Sequence, residues 1–109
     1  MPTISIDDFR NIELRVATIT AAVAHPNADR LLVLTVDLGS AQRQLVAGIR
    51  AHYQPEDLIG KQILVVANLQ PAILRGVESQ GMLLAASDEQ GRLAIVTPEK
   101  PVAAGAQVK

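Results

Sequence analysis

Ser79, in Gly76-Val77-Glu78-Ser79-Gln80-Gly81, comes nearest to the surroundings of a catalytic nucleophile. A nucleophile elbow needs Gly two residues before and two after the Ser, and position 77 is Val, so the motif fails. A triad of Ser79 with His25 or His52 has nothing in the spacing to support it. His25 and Asp29 could approach across one turn, but two ligands without a third describe a turn hydrogen bond better than a metal centre. The chain has no Cys, which removes thiol nucleophiles, zinc knuckles and iron–sulfur ligation. No phosphate-cradling Gly loop or dinucleotide fingerprint occurs. The acid pairs Asp7-Asp8, Glu56-Asp57 and Asp88-Glu89 read as helix starts and turns rather than as acid–base machinery. The expectation is a binding module, not an enzyme, with no catalytic residues, no metal and no cofactor.

The elements that must position such a module are short. Ser5 with Asp8 three residues on resembles a capping box, and Ile6, Phe9 and Arg10 then lie on a short helix ending near Asn11. Glu13 to Ala24 is rich in Val, Ile, Thr and Ala and predicts a long strand, ended by His25-Pro26-Asn27. Leu32, Leu34 and Val36 alternate with Val33, Thr35 and Asp37, and Gly39-Ser40 turns the chain into a return strand over Arg43 to Ala47. Tyr53 to Leu58 reads as a helical turn with an early Pro55 and Glu56-Asp57 near its start, closed by Gly60. Ile63 to Ala67 is a buried strand, and Met82 to Ala86 pairs with Arg92 to Val96 before Pro98 and Pro101 lead into a tail. Short strands with one small helix midway suggest an all-β fold with short helices, a five-stranded oligonucleotide/oligosaccharide-binding (OB-fold) barrel with an N-terminal helix and a C-terminal extension. Periodicity alone leaves a β-sandwich or another small barrel open.

Composition sets further bounds. The 109 residues suit a single domain, with its core at about 6–108, and Ala, Val, Ile and Leu make that core aliphatic. The N-terminus carries acids where a signal peptide needs basic residues, and no apolar run is long enough to span a membrane, so a cytoplasmic protein with no membrane partner is expected. Net charge is -1 at pH 7, which opposes nucleic-acid binding, whose usual footprint is basic.

Three stretches together nevertheless resemble one family. They are Glu13-Leu14-Arg15-Val16-Ala17-Thr18-Ile19, His25-Pro26-Asn27-Ala28-Asp29-Arg30-Leu31, and Asn68 to Met82 with its Arg75-Gly76-Val77-Glu78-Ser79-Gln80-Gly81. The pattern is similar to the tRNA-binding domain of methionyl-tRNA synthetase C-termini, of a free-standing structure-specific tRNA-binding protein of bacteria, and of the endothelial-monocyte-activating polypeptide. The likeness runs from about Ile6 to the C-terminus. It implies an OB-fold, recognition of tRNA by shape, no catalysis and, as in bacterial members, a homodimer, with a methionyl-tRNA synthetase catalytic domain as a further partner. A related branch, secretion-chaperone-like peptide-binding dimers of the same fold, is the alternative; its usual pattern lacks the Arg-Gly-x-x-Ser-Gln-Gly sequence present here.

The resemblance points to Arg75, Arg30, Asn68, Ser79 and Gln80 as RNA-binding residues. Arg75 can fork two N–H donors to a phosphate, and the neutral side chains can reach sugar or phosphate oxygens. Phe9 and Tyr53 are the only aromatics, too few for the base-stacking platform of most single-strand-binding barrels, so the expected mode is contact with phosphates and 2′-hydroxyls of a folded RNA. The family loop usually carries Lys at the positions of Gln70 and Ile73, so weak binding is expected. Residues 38–87 hold an excess of only one positive charge, and a basic face must therefore arise from folding and dimerisation. Leftover apolar surface places Phe9, Ile12, Ile95, Val102 and Val108 at or near the expected dimer interface.

Overall fold

The computed structural model describes residues 1–109. Helix α1 (Ile6–Arg10) starts as its sequence demands: the Ser5 hydroxyl accepts from the Asp8 N–H at 3.0 Å, and Asp7 and Asp8 occupy the electropositive first turn. No residue of α1 is buried, so packing against its own barrel does little to hold it.

Strand β1 (Leu14–Ala24) organises the barrel. Its first half pairs antiparallel with β4 (Gln62–Val66), Leu14 opposite Val66, and its second half with β2 (Leu32–Asp37), Ala24 opposite Leu32. The register to β2 shifts between Ile19 and Ala21, and Thr20 in the bulge turns its hydroxyl to the Thr35 carbonyl at 3.2 Å. A bulge bends its strand and raises the local twist, which lets one strand serve both walls of a barrel. Strand β2 buries Leu32, Leu34 and Val36 and turns Val33, Thr35 and Asp37 outward, the alternation its sequence predicts, and it pairs along its whole length with β3 (Gln42–Ala47).

The sheet runs β3-β2-β1-β4-β7, with β7 being Met82–Leu83. Its open side is nearly closed where the chain at Glu78–Gln80 meets β3. The Gln80 N–H donates to the Gln44 carbonyl at 2.8 Å, the Gln44 N–H returns to Gln80 Oε1 at 3.0 Å, and Gln44 Nε2 donates to the Glu78 carbonyl at 2.8 Å. Gly81 makes this closure possible: its φ is +140°, and a Cβ there would stand 3.0 Å from the Val66 carbonyl oxygen. The result is a five-stranded, nearly closed antiparallel barrel of OB type. Helix α2 (Pro55–Leu58) sits beneath it with Leu58 completely buried among Ile19, Ile63, Leu45 and Ile49. Burying a leucine in this way stabilises the fold by about 1.5–3 kcal/mol.

Two features differ from the sequence expectation. Met82 to Ala86 is not one strand: β7 joins β4, whereas β8 (Ala85–Ser87) pairs with β9 (Leu93–Ile95), because Leu84 bonds Leu64 on one side and Val96 on the other. The tail is also more than an extension. Gly105 donates to the Val16 carbonyl at 2.7 Å, Val16 donates to that of Ala106, and β10 (Gln107–Val108) pairs with the start of β1. Backbone replaces side chain where the tail crosses the β2–β3 turn, since a Cβ on Gly105 would stand 2.2 Å from the Leu38 carbonyl oxygen. No helix is long and apolar enough to cross a membrane.

Candidate nucleic-acid interface

Between β4 and the closing seam the chain forms a separate hairpin, β5 (Ala72–Leu74) with β6 (Val77–Ser79). Leu74 lies opposite Val77, so only Arg75 and Gly76 make the turn, at φ +53° and +89°. Positive φ at both positions is the type I′ turn that fits the right-handed twist of a two-stranded ribbon. Arg75 is the one non-glycine residue with positive φ in the chain. That backbone conformation costs an L-residue about 1–2 kcal/mol, and it places a guanidinium at the tip.

The tip lies against the β1–β2 turn. Arg75 Nη2 donates to the Asn27 carbonyl at 3.1 Å, and His25 Nε2 lies 3.0 Å from the Leu74 carbonyl. A third arginine reaches the same turn from the far end of β3: Arg50 Nη1 donates to the Ala28 carbonyl at 3.1 Å, and its N–H to that of Arg30. The guanidinium groups of Arg50 and Arg75 thus reach the turn at residues 25–30, which carries Arg30 at its end. None is in an ion pair; the pairs in the structure are Arg10–Asp7, Arg15–Glu13 and Arg92–Asp88. Asp29 shares the turn without bridging to Arg30, and the charges remain available to an anion. Arg50 has no place in the sequence-derived set, because only the fold brings position 50 beside positions 30 and 75.

The neutral residues named from sequence lie elsewhere and are occupied. Ser79 is 5% exposed; its hydroxyl accepts from the Val46 N–H at 2.9 Å and donates to the Gly81 carbonyl at 2.9 Å. Gln80 spends its side chain on the Gln44 N–H and on Glu78 Oε1. Asn68 accepts from the Glu13 N–H at 2.8 Å and donates to the Asn11 carbonyl at 2.7 Å, tying the loop after β4 to the junction of α1 and β1. Beside this loop, Arg43 donates to the Ala67 carbonyl and lines a small cleft with Gln42, Leu69, Pro71 and Gln80. Tyr53 is no stacking platform: it packs against the core, and its hydroxyl accepts from the Ile95 N–H at 3.1 Å. His25 and Asp29 do not pair as ligands, and no group of three metal-binding side chains occurs.

The residues named for a dimer interface divide by exposure. Ile12 is 44% and Val102 41% exposed, and Phe9 is half-buried on α1 near the exposed Ile4 and Ile6. Ile95 and Val108 are half-buried within their own chain, Ile95 against the core and Val108 opposite Leu14 in β10.

The OB-type barrel is one of the small β-barrel architectures that bind oligonucleotides or oligosaccharides. Residues 14–107 match the family model described as "Putative tRNA binding domain", and the chain belongs to that family. It is 51% identical over 109 residues to a methionine–tRNA ligase of Thermococcus kodakarensis, covering all of this chain and 15% of that protein. It is 52% identical over 106 residues to the ligase of Deinococcus radiodurans, covering 97% of this chain and 16% of that protein. The chain therefore spans about a sixth of the length of these synthetases. Among solved structures it superposes on a MetRS-related protein from Pyrococcus horikoshii with a TM-score of 0.94 and 35% identity, each chain covered in full. It superposes on the chaperone CsaA of Bacillus anthracis with a TM-score of 0.89 and 30% identity, covering 99% of this chain and 100% of the other.

Proposed function

We propose that the chain is a non-catalytic tRNA-binding module that holds the folded RNA by its phosphates and raises the tRNA affinity of a methionyl-tRNA synthetase, joined to it or acting beside it. The observation that carries this reading is that Arg50 and Arg75 both bond to the turn at residues 25–30, which itself carries Arg30, with none of the three in an ion pair. Arginine keeps its charge at any relevant pH and matches a phosphate with two parallel donors. Asn68, Ser79 and Gln80 then serve the RNA through the barrel: they fix the loop and the seam from which the Arg75 hairpin projects. Family membership over residues 14–107 supports the choice of tRNA among folded RNAs.

Binding by a single module is weak, because Gln70 and Ile73 replace two lysines of the family pattern. A homodimer compensates by presenting two arginine clusters, which converts a second contact into an intramolecular one. Helix α1 supplies the surface: it has no buried residue in the monomer, Ile6 is 60% exposed, and Ile4, Phe9 and Ile12 add apolar area beside it. Sedimentation at micromolar concentration gives a dimer on this reading, and a monomer removes that part of it.

Competition for the labelled protein between folded tRNA and a linear oligonucleotide of equal length tests the mode. Preference for the folded RNA is expected; equal binding of the linear strand would mean that the module reads single strands and that the reading is wrong. A second reading is favoured by one observation, an apolar cleft of about 320 Å³ between Val46–Ile49, Met82–Ala85 and Leu93. A cleft of that kind accepts a hydrophobic peptide side chain, in keeping with the likeness to the chaperone CsaA. An unfolded peptide that displaces tRNA would favour it.

A further inference from the structure

We propose that His25 is a positioning residue that pins the Arg75 hairpin to the β1–β2 turn and so sets where the Arg75 guanidinium meets RNA; the RNA part rests on the reading above. The imidazole is 3% exposed. Its Nδ1 lies 2.9 Å from the Asn27 N–H, which can only donate, so Nδ1 is the unprotonated acceptor. Nε2 therefore carries the hydrogen and donates to the Leu74 carbonyl at 3.0 Å. Arg75, the next residue, returns a bond to the carbonyl of the same Asn27 at 3.1 Å. A closed ring results: His25 to Leu74, along the chain to Arg75, across to Asn27, and back to His25.

Nothing else hydrogen-bonds this tip to the barrel. The base of the hairpin is tied to β3 through Glu78 and Ser79, but the backbone bonds of residues 72–76 stay within the hairpin, and from those residues the two ends of the ring are the only bonds to the rest of the barrel. All three residues of β5 are exposed and pair only with β6, and two strands without a further partner are marginally stable in water. Arg75 also sits in a strained conformation that persists only when its surroundings enforce it. His25 supplies that enforcement from a position 49 residues away in sequence.

Two variants divide the ring. His25→Gln places an amide nitrogen near the original Nε2 and keeps the donor to Leu74; His25→Asn keeps an acceptor for Asn27 but is too short to reach Leu74. In the RNA-free 109-residue protein, His25→Asn is expected to lower the backbone order parameters of Arg75 and Gly76 below about 0.6, and His25→Gln to restore them. Unchanged order in His25→Asn overturns the pinning. The second readout is a double-mutant cycle on tRNA affinity. His25→Asn and Arg75→Ala are each expected to weaken binding about tenfold, the size of one lost charge-assisted contact. In the Arg75→Ala background, His25→Asn then costs less than about twofold, whereas unfolding losses from the two changes add. Equal losses in both backgrounds overturn the action through Arg75. Absence of tRNA binding by the unsubstituted protein would remove the RNA reading and leave the pinning to stand or fall on the order parameters alone.

Discussion

Replacing Ser79 by Ala separates a strut from an RNA ligand. In the wild-type chain the Ser79 hydroxyl is the acceptor for the Val46 N–H at 2.9 Å, in a bond that is itself buried, and it donates onward to the Gly81 carbonyl. Alanine leaves the Val46 N–H without a partner next to Leu45 and Ala47, both core residues. A buried donor left unsatisfied costs about 1–3 kcal/mol, and the carbonyl of Gly81 loses a weaker bond at the same time. Loss of about 2 kcal/mol lowers Tm by roughly 8–16 °C in a domain of this size. Urea melts should show a reduced midpoint with an unchanged slope, since the extent of surface exposed on unfolding is the same. Ser87→Ala, on exposed β8, serves as the control and stays within about 0.5 kcal/mol. For tRNA, measured well below the melting range, the salt exponent of Ser79→Ala should match wild type, because no phosphate contact has been removed. An unchanged melting midpoint together with a weakened RNA complex would refute the reasoning: Ser79 would then be a direct RNA ligand and the seam would close without it.

Three further outcomes follow from the same geometry. Ile73 is 65% exposed on the hairpin and Gln70 is exposed beside it, so Ile73→Lys with Gln70→Lys should strengthen tRNA binding and steepen the salt exponent by about 0.7–0.9 per added contact; an unchanged exponent contradicts that. Gly105→Ala meets the Leu38 carbonyl at 2.2 Å with φ at +88° and should release the tail from Val16, costing about 3 kcal/mol in left-handed strain and lost hydrogen bonds; hydrogen exchange at the Val16 amide reports it, and retained protection would show the tail to be dispensable. The Asp88 carboxyl is held below its ordinary value of 3.8 by the Arg92 backbone N–H first and the Arg92 guanidinium second. A lowered folded-state value means stabilisation that is full above pH 3.8 and is lost as pH falls through the lower folded value. The Tm difference between wild type and Asp88→Asn should therefore close on acidification, and a difference that widens has the wrong sign.

Local chemistry made part of this structure legible in the sequence. Ser5 and Asp8 announced α1, and the alternation at Leu32, Leu34 and Val36 announced a strand with one buried face. The β5–β6 hairpin was hidden because its turn is Arg75-Gly76 rather than Asn-Gly, and because Ala72, Ile73 and Leu74 all remain exposed, so no alternation marks β5. The break at Leu84 follows from two partners, Leu64 and Val96, that are distant in sequence. Arg30 and Arg75 were accessible through the family resemblance. Arg50 and His25 were not, since their roles depend on contacts with Ala28 and Leu74 that only the folded barrel creates. For Ser79, Gln80 and Asn68 the sequence showed polar groups able to meet RNA, but not that backbone groups of Val46, Gln44 and Glu13 had already engaged them.

If Arg30, Arg50 and Arg75 hold tRNA through its phosphates, as proposed, the dependence of tRNA affinity on salt differs between wild type and the triple variant Arg30→Ala, Arg50→Ala, Arg75→Ala. Three phosphate contacts per module correspond to a difference in slope of log Kobs against log salt of roughly 2–3. A triple variant that binds weakly and with a slope shallower by that amount agrees with the account; one that binds tRNA with the wild-type slope contradicts it.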